Sequence, residues 1–132
     1  MVARNTLQAP DRRSALNNLT LVAAICEFSS QLREVRRMHV HSFGALIPHV
    51  FMGSVLAHVG RCLFENGGRD PLRHSAEVTS ILEALERGMA GGDRETRNVI
   101  SISFVRDAEL EPFFALLRPH LGPKMRVELR GR

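Results

Sequence analysis

Apolar residues recur along the chain at helical intervals. Leu21, Ile25, Phe28, Leu32 and Val35 follow one another at spacings of four, three, four and three, which lays all five on one stripe of a helix. The spacing predicts a helix from about Ala15 to Met38, with Arg33, Arg36 and Arg37 in its last turns, where positive charge favours the negative end of the helix dipole. Residues 39–44 then read as a connection. Pro48 suits the first turn of a second helix, in which Met52, Leu56, Val59 and Leu63 repeat at four, three and four beside a second row of Phe51, Val55 and Cys62. Two adjoining rows predict a helix buried over a wide face.

Gly67-Gly68 breaks that helix, and Asp70-Pro71 reads as an N-cap followed by proline at the first position of a third helix, which reaches about Met89. Val78, Ile81, Leu82, Leu85 and Met89 form its apolar face; Glu77, Glu83, Glu86 and Arg87 form a polar one. Gly91-Gly92 ends it, Asp93 caps the next element, and Glu95 sits in an acid-favouring first turn. From Val99 to Val105 the pattern conflicts with its context. Ile100, Ile102 and Phe104 alternate with Ser101 and Ser103 as in a strand, whereas residues 93–107 have helical length and a helical start. Met125, Val127 and Leu129 offer only a weak strand partner, so the expectation is a helix apolar almost all round, the most buried of the set. Glu111-Pro112 opens a short helix with Phe113, Phe114, Leu116 and Leu117, which Pro119 and Pro123 punctuate.

The expected fold is therefore all-α, a single-domain bundle of five or six helices or a pair of stacked helical hairpins. Residues 1–13 read as a flexible basic arm, 14–123 as the helical domain and 124–132 as a basic tail or last helix. A chain of 132 residues, 44% hydrophobic and 24% charged, can form one domain with a real core. Its longest apolar stretch, residues 19–26, falls short of the ~18–20 residues of a membrane span. The apolar patch after Arg4, Arg12 and Arg13 is interrupted by Asn17 and Asn18 and lacks a small-residue cleavage site, so it does not read as a secretory signal. Ile25 before Cys26 argues against a lipoprotein site. Two cysteines, Cys26 and Cys62, are too few for a disulfide scaffold, and a cytoplasmic location is expected.

The formal charge of +4 changes the picture less than it promises, because residues 14–118 hold 11 basic and 12 acidic groups. The excess sits in the tails, which are expected to fray. Within the body, Arg33, Arg36, Arg37 and Arg61 face only Glu34 in residues 33–61, while residues 77–111 hold eight acids and four arginines. The body reads as electrostatically two-sided.

Candidate chemistry is sparse. His58 and Cys62 stand one helical turn apart and could bind a metal from one face, with His39 and His41 as further ligands from the preceding connection. No acid or second cysteine completes a recognised set, so core and capping roles are expected, with no metal or other cofactor. No strand-to-helix elbow of the G-x-S-x-G kind supports a nucleophile, Glu83 and Glu86 read as a solvated charge row, and the glycine pairs lack the rest of a phosphate loop. With no convergent catalytic group, the chain is expected not to be an enzyme. Arg33, Arg36 and Arg37, together with the basic tails, could contact nucleic acid, yet the absence of Trp and Tyr leaves few stacking platforms.

Three stretches carry a resemblance: Leu46-Ile47-Pro48-His49-Val50-Phe51-Met52-Gly53, the run from Gly92-Asp93-Arg94-Glu95-Thr96-Arg97-Asn98 through Val99-Ile100-Ser101-Ile102-Ser103-Phe104-Val105, and Leu121-Gly122-Pro123. Together they resemble a family of small, uncharacterised bacterial all-helical proteins, a domain of unknown function, across about residues 46–125. The resemblance implies a helical fold and, by association with toxin genes, immunity or accessory roles. Where members commonly carry an acid after the first motif's glycine, this chain has Ser54. Pro48 and Asp93 are explained as helix starters; His49, Arg97 and Asn98 have no evident structural task and could form a shared polar surface or a buried hydrogen-bond set.

The functional expectation is a non-enzymatic helical protein-interaction module, most concretely an immunity-type protein that neutralises a bacterial toxin by direct binding. Its partner-binding residues would be Glu83, Glu86, Glu95, His49, Arg97 and Asn98, with the two-sided charge steering the partner. No membrane partner is expected, and a homo-oligomer is compatible with the pattern. The alternative is a nucleic-acid-associated regulator using Arg33, Arg36 and Arg37.

Overall fold

The computed structural model describes residues 17–66 and 71–130. The expected basic arm 1–13, the Gly67-Gly68 break and the Asp70 cap lie outside the described residues. Among the described residues, seven α-helical segments form one all-α domain: α1 Asn18–Glu27, α2 Ser30–Phe43, α3 Pro48–Asn66, α4 Pro71–Gly91, α5 Arg94–Ile100, α6 Phe114–Leu117 and α7 Pro123–Val127. A π-helical turn, Ser101–Arg106, continues α5, and a 3-10 turn, Arg118–His120, follows α6. No strand occurs among the described residues.

The first expected helix is two helices. Ser29 takes an extended backbone (φ −149°, ψ 119°), and its hydroxyl accepts from Leu32 N, so it caps α2 and divides the stripe. Leu21, Ile25 and Leu32 remain buried, whereas Phe28, at the break, is partly exposed. In place of the expected connection at 39–44, α2 runs on to Phe43 and stops at Gly44, whose φ of 79° is the left-handed conformation glycine adopts without steric cost. His39 and His41 are thus helical residues. His39 is buried against Phe43 and Phe51, and its Nε2 accepts from Ile47 N at 2.9 Å.

The start of α3 at Pro48 and the end of α4 at Gly91 fall where the sequence places them. Asp93 caps α5 by accepting from Thr96 N at 2.8 Å. The neighbouring Thr96, through its hydroxyl beside the carboxyl and its backbone N–H, holds Asp93 below the usual carboxylate range. The segment that alternates like a strand is helical, and Val99, Ile100, Phe104, Val105 and Ala108 have no solvent exposure. It packs on α3, which also touches α2, α4 and α6; α4 in turn packs on α1, α5 and α7. These two long helices, α3 and α4, organise the core.

The basic C-terminal segment is docked as far as residue 130 and does not fray there. Met125 and Leu129 are buried, Arg126 donates to Leu121 O at 2.8 Å, and Arg130 N donates to Glu109 at 3.0 Å. Glu86, on α4, accepts from Lys124 N at 2.6 Å and Met125 N at 3.1 Å, and so caps α7 from another helix. Glu86→Ala is expected to cost about 1–2 kcal/mol, the usual cost of losing a cap. Urea denaturation followed by circular dichroism would measure it, and an unchanged midpoint would contradict the capping role.

Candidate functional site

The cluster with the most chemistry lies on the inward side of α3. His58 and Cys62, one turn apart, both point to the interior and are buried, as the wide apolar face of α3 requires. Opposite them stands Glu77 of α4, and beside them Ser29, the residue that divides α1 from α2. Three contacts converge on one atom. His58 Nε2 lies 2.5 Å from Glu77 Oε2, 3.5 Å from Cys62 Sγ and 3.4 Å from Ser29 Oγ. The ligand-capable atoms of His58, Cys62 and Glu77 all fall within 4.8 Å of one another. A cavity of about 410 Å³, lined by Phe28, Ser29, Arg33 and Glu77 among others, opens beside the carboxylate.

This arrangement differs from a nucleophilic triad. There the acid holds one ring nitrogen while the other takes the thiol or hydroxyl proton. Here acid, thiol and hydroxyl compete for Nε2 alone, so Glu77 does not orient the imidazole toward Cys62. The same convergence is what a metal-binding set presents. Glu77 is the acid that the sequence pattern did not supply. His39 and His41 do not join the set, since His39 caps the start of α3 and His41 is exposed on α2.

The other thiol, Cys26, is buried in α1 within 3.6 Å of Leu32 O. Burial pushes it up from the ordinary cysteine range, against the lowering effect of Arg36 and Arg33.

The residues expected to bind a partner divide among separate places. Glu83 and Glu86 share a recess of about 180 Å³ with His120, where the Glu86 carboxylate is engaged in capping α7. Glu95 is exposed in the first turn of α5. His49 Nδ1 meets Ser103 Oγ of the π turn at 2.5 Å. Arg97 donates to Gly92 O at 2.6 Å and, with Asn98, lines a recess of about 230 Å³ shared with Arg94, Ser101 and Glu128. Structural tasks thus account for His49 and Arg97. Two of the three arginines of α2 are also engaged: Arg33 donates to Cys26 O at 2.8 Å, and Arg37 pairs with Glu34.

One surface passed over in the sequence is the outward face of α3. Ile47 (38% exposed), Val50 (46%) and Phe64 (57%) lie along it with the exposed Gly53 and Ala57. Between Pro48 and Phe64 the only Lys, Arg, Asp or Glu is Arg61. Its second half borders an apolar groove of about 300 Å³ closed on the far side by Pro112 and Phe113. Gly60 has an internal reason to be glycine, because a Cβ there would stand 2.3 Å from the Phe113 ring. Gly53 has none, as a Cβ there would meet nothing within 4 Å.

Comparison with protein-family models, curated proteins and solved structures gave no match. No helix among the described residues is long and apolar enough to cross a membrane.

Proposed function

We propose that this protein is a non-enzymatic helical interaction module that docks a protein partner on the outward face of α3. The observation that carries this reading is the run of small and apolar exposed residues from Ile47 to Phe64. It spans about 25 Å of helix with one charged residue, whereas α4 turns Glu83 and Arg87 to solvent and α2 mixes its exposed Met38, Val40 and Phe43 with Arg33, Glu34 and Arg37. Glycine inside a helix costs about 0.5–1 kcal/mol relative to alanine. Nothing among the described residues offsets that cost at Gly53, whereas a partner backbone approaching closely there would. The partner that fits presents an apolar surface, with polar groups at its edge to meet Arg61 and Glu111, which both line the groove. In its most concrete form the partner is a bacterial toxin and docking neutralises it.

The engagement of Arg33 and Arg37 within α1 and α2 favours docking of a protein over a nucleic acid. Glu83 and Glu86 stand on α4, apart from the α3 face, and are not part of this surface.

Gly53→Ala separates the fold from the function. It is expected to raise stability by about 0.5–1 kcal/mol, since the added methyl meets open space. Affinity capture from the source cell with the tagged full-length chain, with and without nuclease, should return one stoichiometric protein whether or not nucleic acid is destroyed. Ala57→Glu, which places a charge in the middle of the face, should abolish that capture while the thermal midpoint stays put. Equal recovery with wild type and Ala57→Glu, or recovery lost on nuclease treatment, would overturn the reading.

A further inference from the structure

We infer that His58, Cys62 and Glu77 form a binding site for a divalent transition-metal ion of the zinc class, with its fourth position open to the cavity beside α4. The site lies on the inward side of α3 and is independent of the docking face. Three different donors from two helices converge within 4.8 Å: an imidazole nitrogen, a thiol sulfur and a carboxylate oxygen. A thiolate disfavours hard ions such as magnesium and calcium, while the mixed nitrogen, sulfur and oxygen set suits zinc. The anionic thiolate and carboxylate neutralise a doubly charged ion, which lets the ion sit among groups that are nearly all buried.

The distances describe a site closed by a hydrogen bond and one short movement from ligation. Tetrahedral zinc bonds place nitrogen and sulfur ligands about 3.6 Å apart, and Nε2 to Sγ is already 3.5 Å. Nitrogen and oxygen ligands would stand about 3.4 Å apart and sulfur and oxygen ligands about 3.6 Å, so the Glu77 carboxylate, now 2.5 Å from Nε2 and within 4.8 Å of Sγ, withdraws from the ring nitrogen by about 0.9 Å and settles about 3.6 Å from the sulfur. The cavity of about 410 Å³ that Glu77 lines gives it room. Ser29 is committed to capping Leu32 N, so the fourth position falls to a water or a small ligand entering from that cavity. Three protein ligands and one open position leave room for an exchangeable ligand, as distinct from the closed four-ligand sites that serve structure alone. Binding deprotonates Cys62 and displaces the proton that the His58–Glu77 hydrogen bond holds.

Cobalt(II) tests this on the reduced full-length protein. The expected result is one equivalent bound, with a thiolate-to-cobalt charge-transfer band in the near ultraviolet and visible bands of tetrahedral intensity, both removed by zinc. Cys62→Ser should lose the charge-transfer band and Cys26→Ser should keep it. Glu77→Gln should weaken binding by more than the about 10–100-fold that loss of an outer-shell partner costs. Absence of the band in folded wild type, its persistence in Cys62→Ser, or its loss in Cys26→Ser would overturn the assignment. Should the variants not fold, wild type decides alone: zinc must slow alkylation of Cys62 and leave Cys26 unchanged, and equal effects on the two thiols would overturn it.

Discussion

Phe104→Ala is expected to lower the stability of the domain by about 3–5 kcal/mol, a large part of the roughly 5–15 kcal/mol that holds a protein of this kind folded. Phe104 has no exposed surface and lies in the π turn where the chain packs on α3. Truncation removes most of a ring from the core and leaves a cavity the surrounding helices cannot close. Two residues away, Ile102 is 39% exposed, and Ile102→Ala is expected to cost less than about 1 kcal/mol. The ratio of the two is diagnostic. In a strand, Ile100, Ile102 and Phe104 would share one buried face, and the two substitutions would cost alike. Urea denaturation of both variants, with the slope unchanged, measures the ratio; comparable losses would contradict the helical packing.

The same segment shows how sequence pattern and fold part company. Alternation of apolar residues with Ser101 and Ser103 is a period-two signal, but both serines are buried and satisfied by side chains far along the chain. Ser101 donates to Glu128 at 2.7 Å, and Ser103 meets His49 at 2.5 Å. Small hydroxyl residues fit a helix buried nearly all round once each has a partner, so they are no mark of an outward face. The helical reading followed from length and from the Asp93 cap, both local properties. The π turn is set by packing against α3 and α7 and leaves no local trace.

Where the sequence misled, a single side chain had decided the matter. The stripe from Leu21 to Val35 keeps helical phase across residues 28–29, so periodicity alone joins α1 to α2. Only the capping chemistry of Ser29 separates them. Glu86 sits among polar residues of α4 and looks solvated, until the chain returns 38 residues later and presents Lys124 N to it. The site was legible by half for the same reason. His58 and Cys62 share one element and a spacing that announces a common face. Glu77 lies beyond a Gly-Gly break on another helix, and its approach to Nε2 depends on how α3 packs against α4. The outward face of α3 leaves little trace in the pattern, because the glycine and alanine at its middle carry little hydrophobic signal.

His58 and Glu77 are expected to be energetically coupled by about 1–3 kcal/mol in a double-mutant cycle run with a chelator present. Glu77→Ala leaves the 3%-exposed His58 without its closest partner, and a buried polar group so stranded costs about 1–3 kcal/mol. His58→Ala opens a cavity in α3 but leaves a carboxylate that water can reach from the side of Ser29 and Arg33. Removing both groups relieves the stranding, so the double variant should be less destabilised than the sum of the singles. Glu77→Gln should be the mildest single change, because its carboxamide keeps an oxygen facing Nε2. Losses that add within about 0.5 kcal/mol would mean the two groups do not interact. Repeating the cycle with zinc changes what it reads: metal then stabilises wild type by mass action, and each single variant loses that increment as well. The apparent coupling must therefore grow when chelator is replaced by zinc if the hydrogen bond and the metal occupy the same three side chains. Identical coupling in both conditions would retain the hydrogen bond and remove the metal from it.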